Sequence, residues 1–294
     1  MAIGALMMVR NEADILALNV RFHRGVGVTD FFVVDNGSYD ETPKVLVELA
    51  STVPGFRWTR DDGPYSQSTI TSGLAHEAFA AGMQWVIAID ADEFWFTSAR
   101  GGFGEVLADT TAVALETQLT TYVQDRRVVE LREDNLLTMT RRLDHPLEYS
   151  EETRRAIEAG EAGYVEMAYP PKWVSRASAE LLIHFGNHGV DGVEGERMPT
   201  AAIRCCHAVL RARAALDGKA EQGRRWRELG VGPETAWHTQ RWADMDARGA
   251  LYDDWPLNSW RRTLRRSAVL ESSTRRTPLT YDPTLRDLVR PYVR

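Results

Sequence analysis

The chain contains few cysteines and no long hydrophobic run. Its 294 residues include two cysteines, Cys205 and Cys206, and adjacent cysteines rarely pair because the required geometry strains the peptide bond between them. This excludes a disulfide framework and predicts a reducing, cytoplasmic location. No apolar stretch approaches the roughly 20 residues that span a bilayer. The apolar residues 1–9 lack the basic region and cleavage site of a signal peptide, so they are predicted to form a strand.

Two nucleotide-binding signatures and an excess of positive charge are also missing. The net charge is −7, which argues against a nucleic-acid partner. No G-x-G-x-x-G follows the first predicted strand, as a dinucleotide-dependent oxidoreductase would require. The glycine-rich basic loop expected of a nucleotidyltransferase is absent too, although that class stays open as an alternative. Lysine is rare as well: the chain has three, and Lys172 is a candidate for a point charge that reaches a diphosphate oxygen.

The chain does contain a regular alternation of short apolar runs and amphipathic segments. Four candidate strands, of which the third is a weaker one, end in polar residues and are separated by helical patterns. Such a series predicts an α/β fold in which helices flank a mostly parallel sheet. The runs span residues 3–9, 31–34, 56–59 and 85–89.

The domain organisation follows from where this pattern fades. We expect one domain over residues 1–215, with a regular first half (1–100) and a less regular second half (101–215). A helical extension rich in Arg and Trp is predicted over 216–294, including an amphipathic helix over 258–272. From Trp260 onward nine arginines stand against three acidic residues, so a peripheral membrane contact is one reading of this segment and a solvated helical face is another.

Three carboxylates follow the fourth apolar run, in the order Asp90, Asp92 and Glu93. A spacing of two along a strand puts Asp90 and Asp92 on one face. Carboxylate oxygens suit a divalent cation that also binds phosphate oxygens, and such a cation offsets the charge of a departing diphosphate. Glu93 would orient a ligand or add charge. The alternative is an acidic cap on a helix that begins near Phe94.

Polar residues also follow the other three runs. Ligands of parallel α/β sheets collect at the carboxyl ends of the strands, so these groups are predicted to converge on one edge. Asp35 would bind a ribose hydroxyl or a base edge, or close an Asx turn. Helix capping is an alternative role for Asn11 and Glu12. The groups are Arg10 and Asn11, Asp35 and Asn36, and Asp61 and Asp62.

The motifs together resemble those of glycosyltransferases of the family 2 type. The resemblance is narrower still to the branch with an R-N-E opening and a D-x-D-E-F metal motif. It covers residues 1–100 well and 165–225 loosely, the latter through Lys172, His184, His207 and Lys219. The matching segments are Met8–Ile15, Phe32–Thr42 and Ile89–Phe94.

The resemblance implies a GT-A fold and transfer of a sugar from a nucleoside diphosphate sugar, with Mn²⁺ or Mg²⁺. It implies that residues 1–215 are the catalytic domain, with a nucleotide-sugar half (1–100) and an acceptor half (101–215). It implies that Asp92 is the principal metal ligand and that Asp90 touches ribose or a metal-bound water. A late histidine would complete the metal shell, with His184 ahead of His207 and His188. Asp61 or Asp62 would lie near the base or ribose, and Gln67 and Tyr65 near the base or phosphates. Val9, Arg10, Asn11, Glu12, Asp35 and Asn36 would line the nucleoside pocket.

The acceptor half carries weaker signals. An inverting transfer needs a general base near the acceptor hydroxyl, and Glu116, Asp125 and Glu148 are candidates, with Glu116 first. Residues 115–121 differ from the Trp- and Gly-containing segment usual in the branch, which leaves the acceptor open among small molecules, glycans and lipid-linked sugars. Self-association is a further expectation. A catalytically silent nucleotide-sugar binding protein is the remaining alternative.

Overall fold

The computed structural model describes residues 1–63, 66–232, 234, 236–263 and 267–294. Tyr65, a candidate base or phosphate contact, lies outside these ranges. The strands are β1 (Ile3–Val9), β2 (Asp30–Asp35), β3 (Phe56–Arg60), β4 (Trp85–Ala88), β5 (Glu93–Thr97), β6 (Ala114–Thr117), β7 (Leu119–Thr121), β8 (Gln124–Asp125) and β9 (Arg141–Arg142). They continue with β10 (Lys172–Arg176), β11 (Leu182–Ile183), β12 (Val190–Asp191), β13 (Arg197–Pro199), β14 (Ile203–His207), β15 (Ser259–Arg262), β16 (Ala268–Glu271), β17 (Arg276–Pro278) and β18 (Thr280–Tyr281).

The helices alternate with the strands mainly in the first hundred residues. The α-helices are α1 (Leu16–Gly25), α2 (Thr42–Thr52), α3 (Gln67–Ala80), α4 (Gly102–Ala108), α5 (Glu151–Glu158), α6 (Ala215–Glu228), α7 (Trp237–Ala247), α8 (Trp255–Asn258) and α9 (Thr284–Val289). Short 3-10 helices cover Glu133–Thr138, Tyr164–Glu166, Phe185–Asn187, Leu251–Asp254 and Arg290–Tyr292. No helix in the described part of the chain is long and apolar enough to cross a membrane.

The chain forms two compact units. The first contains Met1–Leu119 and Pro170–Cys206, and the second contains Thr120–Tyr169 and His207–Arg294. These limits differ from the boundary that we predicted after residue 215. The reason is that residues 120–169 share a hydrophobic core with the carboxy-terminal part of the chain, and periodicity along a sequence carries no information about such a pairing.

The first unit is built on a seven-stranded sheet in the order β13-β6-β10-β4-β1-β2-β3. β1 pairs in parallel with β2 and β4, and β2 in parallel with β3. β1 is buried along almost its whole length, as expected for a strand inside a parallel sheet that is covered on both faces. The mostly parallel sheet with flanking helices is confirmed. The carboxyl ends of β1, β2, β3 and β4 therefore lie at one edge.

β10 departs from the parallel pattern and matters for the site. It runs antiparallel between β4 and β6, so its first residue, Lys172, lies at the edge where β4 ends. Helix α3 packs on one face of the sheet, against β1 and β2. The core there includes Leu6, Phe32 and Leu74, which are the inward positions of one helix and two strands.

The second unit has its own core. α6 packs against α7, and a small sheet in the order β17-β16-β15-β8 lies in the same unit. The buried side chains include Tyr164, Trp242, Trp255 and Trp260. Several of the tryptophans therefore serve as large apolar core residues.

The predicted helix over residues 258–272 is wrong. The described parts of this segment form β15 and β16, which pair antiparallel. Arg261 Nη2 lies 2.7 Å from Glu271 Oε1 across the pair, and Trp260 and Leu270 are buried. Cross-strand contacts and burial thus outweigh the local helical pattern. The segment 216–294 is consequently helical only in part, because β15–β18 also belong to it.

Candidate active site

The segment after β1 is tied to the loop after β2 by backbone donors. Asn11 N donates to Ser38 Oγ at 2.9 Å, and Glu12 N donates to Thr42 Oγ1 at 2.8 Å. In return, Tyr39 N donates to Asn11 Oδ1 at 3.0 Å. Asn11 has a φ of 54°, a left-handed conformation that Asn adopts more readily than most residues. Asn11 therefore ties the two segments together through its backbone and its side chain, and Glu12 does so through its backbone N–H.

Arg60, at the end of β3, forms ion pairs with Asp35 and Asp62, two residues that we predicted to contact the nucleotide. Its Nη1 lies 3.1 Å from Asp35 Oδ2, and its Nε lies 2.9 Å from Asp62 Oδ1. Asp35 is fully buried and also accepts from Ser38 N at 2.9 Å. The buried carboxylate is thus paired and hydrogen-bonded, as its burial requires. The sequence analysis missed Arg60, although a basic residue at the end of the third strand was a visible signal.

Hydrogen bonds also connect other residues that we predicted to line the nucleoside pocket. Arg10 Nη1 donates to Asn36 O at 3.1 Å, and Asn36 Nδ2 donates to Asp61 O at 3.2 Å. Val9 is buried and pairs with Asp35 in the β1–β2 register. The structure thus brings the predicted nucleoside-pocket residues together at one edge, next to the end of β4.

The acid turn, which we define as Asp90–Glu93, follows β4 directly. Lys172 Nζ lies 2.6 Å from Asp90 Oδ2 and also forms an ion pair with Glu93 Oε1. Only 3% of the Lys172 side chain and 1% of the Glu93 side chain are exposed, and Asp92 is buried as well. Burial alone would lower the pKa of Lys172, but the two adjacent carboxylates outweigh it and raise the pKa well above its usual value. The two carboxylates therefore favour the protonated form of Lys172.

The residues after the acid turn exclude the capping alternative. Glu93 and Phe94 belong to β5, so no helix begins there for the acids to cap. Glu93 Oε2 instead accepts hydrogen bonds from Trp95 Nε1 at 3.2 Å and from Asp90 N at 3.3 Å. The hydrogen bond from Asp90 N thus connects the first and last residues of the acid turn.

Helix α1 holds the acid turn through two buried side chains that the sequence analysis missed. Asn19 Nδ2 donates to Ala91 O at 3.0 Å and to Glu93 O at 2.7 Å. Trp95 N donates to His23 Nε2 at 3.1 Å, so the ring hydrogen is on Nδ1, 2.8 Å from Asn19 Oδ1. Burial lowers the pKa of His23 to about 4. A neutral histidine is therefore part of the turn's support at neutral pH.

The glycine-rich loop after β11 adds a second neighbour to Asp90. Asn187 Nδ2 lies 3.2 Å from Asp90 Oδ1, and Gly186 N donates to Gln67 Oε1 at 3.0 Å. Gln67, a predicted nucleotide contact, thus anchors this loop to the first turn of α3. Asn187 has a φ of 60° and is buried, and no sequence pattern had singled it out.

The three histidines predicted as metal ligands have different surroundings. His184 is half exposed, and its Nε2 lies 2.8 Å from Asp191 Oδ2. His207 belongs to the second unit, where its ring lies 4.5 Å from that of Tyr169. His188 Nδ1 is 3.1 Å from Pro171 O. Among the described residues, no three or more His, Cys, Asp and Glu side chains are arranged to hold a metal ion.

Glu116, the predicted general base, lies on β6. It is the register partner of Trp173, whereas Thr117 is the partner of Lys172. Successive side chains of a strand point to opposite faces. Glu116 therefore points to the face of the sheet opposite to Lys172 and the acid turn.

A divalent cation fits this donor set only with help from a ligand. Asp92 offers hard oxygen donors, and Mg²⁺ and Mn²⁺ are commonly held by one or two carboxylates together with substrate phosphates. The described protein groups alone do not complete a coordination shell. The residues are thus compatible with a cation shared between Asp92 and a diphosphate.

Comparison with known proteins gives little further help. No family model matches the chain, and no curated protein sequence matches it. Among solved structures, Staphylococcus aureus TarS 1-349 is 8% identical, with a TM-score of 0.42 over 96% of this chain and 100% of that one. Its complex with UDP-GlcNAc gives 9% and 0.43 over the same shares. HddC from Yersinia pseudotuberculosis is 8% identical, with a TM-score of 0.30 over 43% of this chain and 64% of that chain. Similarity at this level supports no inference about function.

Proposed function

We propose that this chain is a glycosyltransferase that moves a sugar from a nucleoside diphosphate sugar to a hydroxyl acceptor. The observation that carries the proposal is the acid turn at the end of β4. β4 lies directly beside β1 in the sheet, and the segment after β1 is hydrogen-bonded to the loop that follows Asp35. A nucleotide that lies across the ends of β1, β2 and β3 would have its diphosphate near the acid turn, which agrees with the general position of ligands in α/β sheets.

The proposed roles on the nucleoside side follow from charge and hydrogen bonding. Arg60 and Ser38 N hold the buried Asp35 carboxylate in place, and this fixes the loop that would line the nucleoside pocket. Arg10 and Asp62 flank the same loop and are the candidates for contacts to the base or phosphates. Asn11, through its backbone and its side chain, and Glu12, through its backbone N–H, would act as positioning residues.

The proposed chemistry takes place at the acid turn. Asp92 would hold Mg²⁺ or Mn²⁺ together with the diphosphate, and a bound cation would supply Lewis-acid stabilisation of the leaving group. Lys172 keeps Asp90 and Glu93 in a fixed position, and Asn19 fixes the carbonyl groups of the turn. The chain's residues would thus bind and orient the donor, and they hold the acid turn in one conformation.

On the acceptor side, we propose that the transfer inverts the configuration of the anomeric carbon. Glu116 has no role in the mechanism that we propose, because its side chain is on the other face of the sheet from Lys172.

A donor panel tests the proposal. The melting temperature would be measured with UDP, UDP-glucose, UDP-GlcNAc, GDP and GDP-mannose, with and without Mn²⁺, and slow donor hydrolysis would be followed in parallel. Binding stabilises the folded state by mass action, by roughly 2.7 kcal/mol at a ligand concentration 100 times Kd. We expect at least one donor to raise the melting temperature. No shift with any member in the presence of Mn²⁺ would refute the proposal.

The metal role has its own variant. Asp92→Asn removes a charged ligand but keeps the shape of the side chain, so we expect metal-dependent hydrolysis to be lost and the fold to be kept. The matched control is Asp109→Asn, an exposed acid in the same unit, which should leave hydrolysis unchanged. Full activity of the Asp92→Asn protein would show that this carboxylate does not hold the metal. Activity of the unmodified protein would also separate an enzyme from a silent binding protein.

A further inference from the structure

Lys172 fills the position between Asp90 and Glu93 that a cation would otherwise take. Its Nζ is 2.6 Å from Asp90 Oδ2 and is ion-paired with Glu93 Oε1. The ammonium group is almost completely buried. An ammonium and a divalent cation both require carboxylate oxygens at short range, so they compete for the same atoms.

The second oxygens of the two carboxylates are also engaged. Asp90 Oδ1 accepts from Asn187 Nδ2 at 3.2 Å. Glu93 Oε2 accepts from Trp95 Nε1 at 3.2 Å. A cation entering between these carboxylates would have to displace N–H donors and come to within a few ångströms of a buried positive charge, which is unfavourable in a region of low dielectric constant.

We infer that Lys172 acts as a built-in counter-ion that prevents the acid turn from binding a divalent cation by itself, so that the metal binds only together with the diphosphate of the donor. The metal-with-diphosphate part of this inference rests on the proposed function. The exclusion of free metal does not, because it depends only on Lys172 and the two carboxylates.

The physical reason for the ordered binding is the number of ligands. A hard divalent cation held by one carboxylate keeps most of its waters and dissociates readily, whereas a diphosphate adds two or more oxygen ligands and further negative charge. The diphosphate of the donor therefore supplies the oxygen ligands that Asp90 and Glu93 do not supply while they are paired with Lys172. A chain built in this way would not carry a metal before its donor arrives.

The experiment measures Mn²⁺ binding by titration calorimetry. For the unmodified protein we expect no saturable binding of Mn²⁺ alone and clear binding when UDP or GDP is saturating. In Lys172→Met the acid turn loses its counter-ion, so Mn²⁺ alone should bind saturably, with an affinity at least about tenfold above the detection limit that applies to the unmodified protein. Lys44→Met is the control, because Lys44 is an exposed lysine of α2 whose ion pair with Glu41 is solvent-accessible, and it should not gain Mn²⁺ binding.

Three results would overturn the inference: tight binding of Mn²⁺ alone to the unmodified protein, equal Mn²⁺ affinity with and without a nucleotide that binds, or a folded Lys172→Met protein that gains no Mn²⁺ affinity. The first two need no variant, so they stand even if Lys172→Met does not fold. If neither nucleotide binds, the glycosyltransferase proposal fails instead, while the comparison of Mn²⁺ alone between the unmodified and Lys172→Met proteins still tests the role of Lys172.

Discussion

Asn19 is the residue on which the conformation of the acid turn depends most directly. One amide group satisfies two buried carbonyl oxygens, those of Ala91 and Glu93, and its own oxygen is near the Nδ1 hydrogen of His23. Buried carbonyl groups need partners, and a side chain that supplies two donors at once has few substitutes. The sequence shows Asn19 only as a polar residue in an amphipathic helix, so its partners could not be predicted.

Replacing Asn19 should therefore destabilise the protein whether or not the shape of the side chain is kept. We expect Asn19→Ala to lower the free energy of unfolding by about 2 kcal/mol, because two buried acceptors lose their donor. Asn19→Asp keeps the shape but presents oxygen atoms to two carbonyl oxygens, so it should cost at least as much. Urea denaturation measures both. A fully stable Asn19→Asp protein would show that the donors do not support the turn.

At the scale of the elements, the regular part of the first hundred residues was predictable and the packing of helices was not. The strands β1, β2 and β4 appear as apolar runs that end in polar residues, which is the pattern of buried parallel strands. By contrast, α6 contains Gly218 and Gly223, and nothing in the sequence distinguishes them. In the structure a Cβ on Gly223 would lie 2.0 Å from Thr239 O of α7, whereas a Cβ on Gly218 would contact nothing within 4 Å.

The two glycines of α6 should respond to alanine in opposite ways. Gly218→Ala should raise the free energy of unfolding by about 0.5–1 kcal/mol, since alanine favours a helix and the position is open. Gly223→Ala gains the same propensity but forces α6 away from α7, so a net loss of about 1–3 kcal/mol is expected. Chemical denaturation of the two variants side by side gives the comparison. Equal stabilisation of both would contradict the close approach of the helices.

For the whole molecule, each unit contains a histidine that burial keeps neutral. The pKa of His23 is lowered to about 4 and that of His238 to about 3, in both cases mainly by burial. His238 is stacked on Tyr164, with 4.5 Å between the ring centroids. The unfolded chain protonates such residues near the usual value of 6.5. Between that value and the lowered one, only the unfolded state binds the proton.

Stability should therefore rise with pH across this window. Because the unfolded state binds more protons, the free energy of unfolding increases from about pH 4 to pH 6.5, by about 3 kcal/mol for His23. The stability is present above pH 6.5 and is lost as the pH falls toward 4. Urea titrations at several pH values measure the slope. His23→Gln should reduce the slope, and His145→Gln, at an exposed position, should not; an unchanged slope in His23→Gln would contradict the assignment.

The sequence by itself determined the parallel βα series, the edge at which its polar residues meet, and the acid turn, because these features depend on local periodicity and on the carboxyl ends of strands. Only the tertiary structure decided what neutralises the acids. Lys172 and Asp90 are 82 residues apart in the chain, and they meet because β10 runs antiparallel beside β4. The partnership of Arg60 with Asp35 and the discontinuous second unit have the same origin, since contacts between distant segments leave no periodic signal in one sequence.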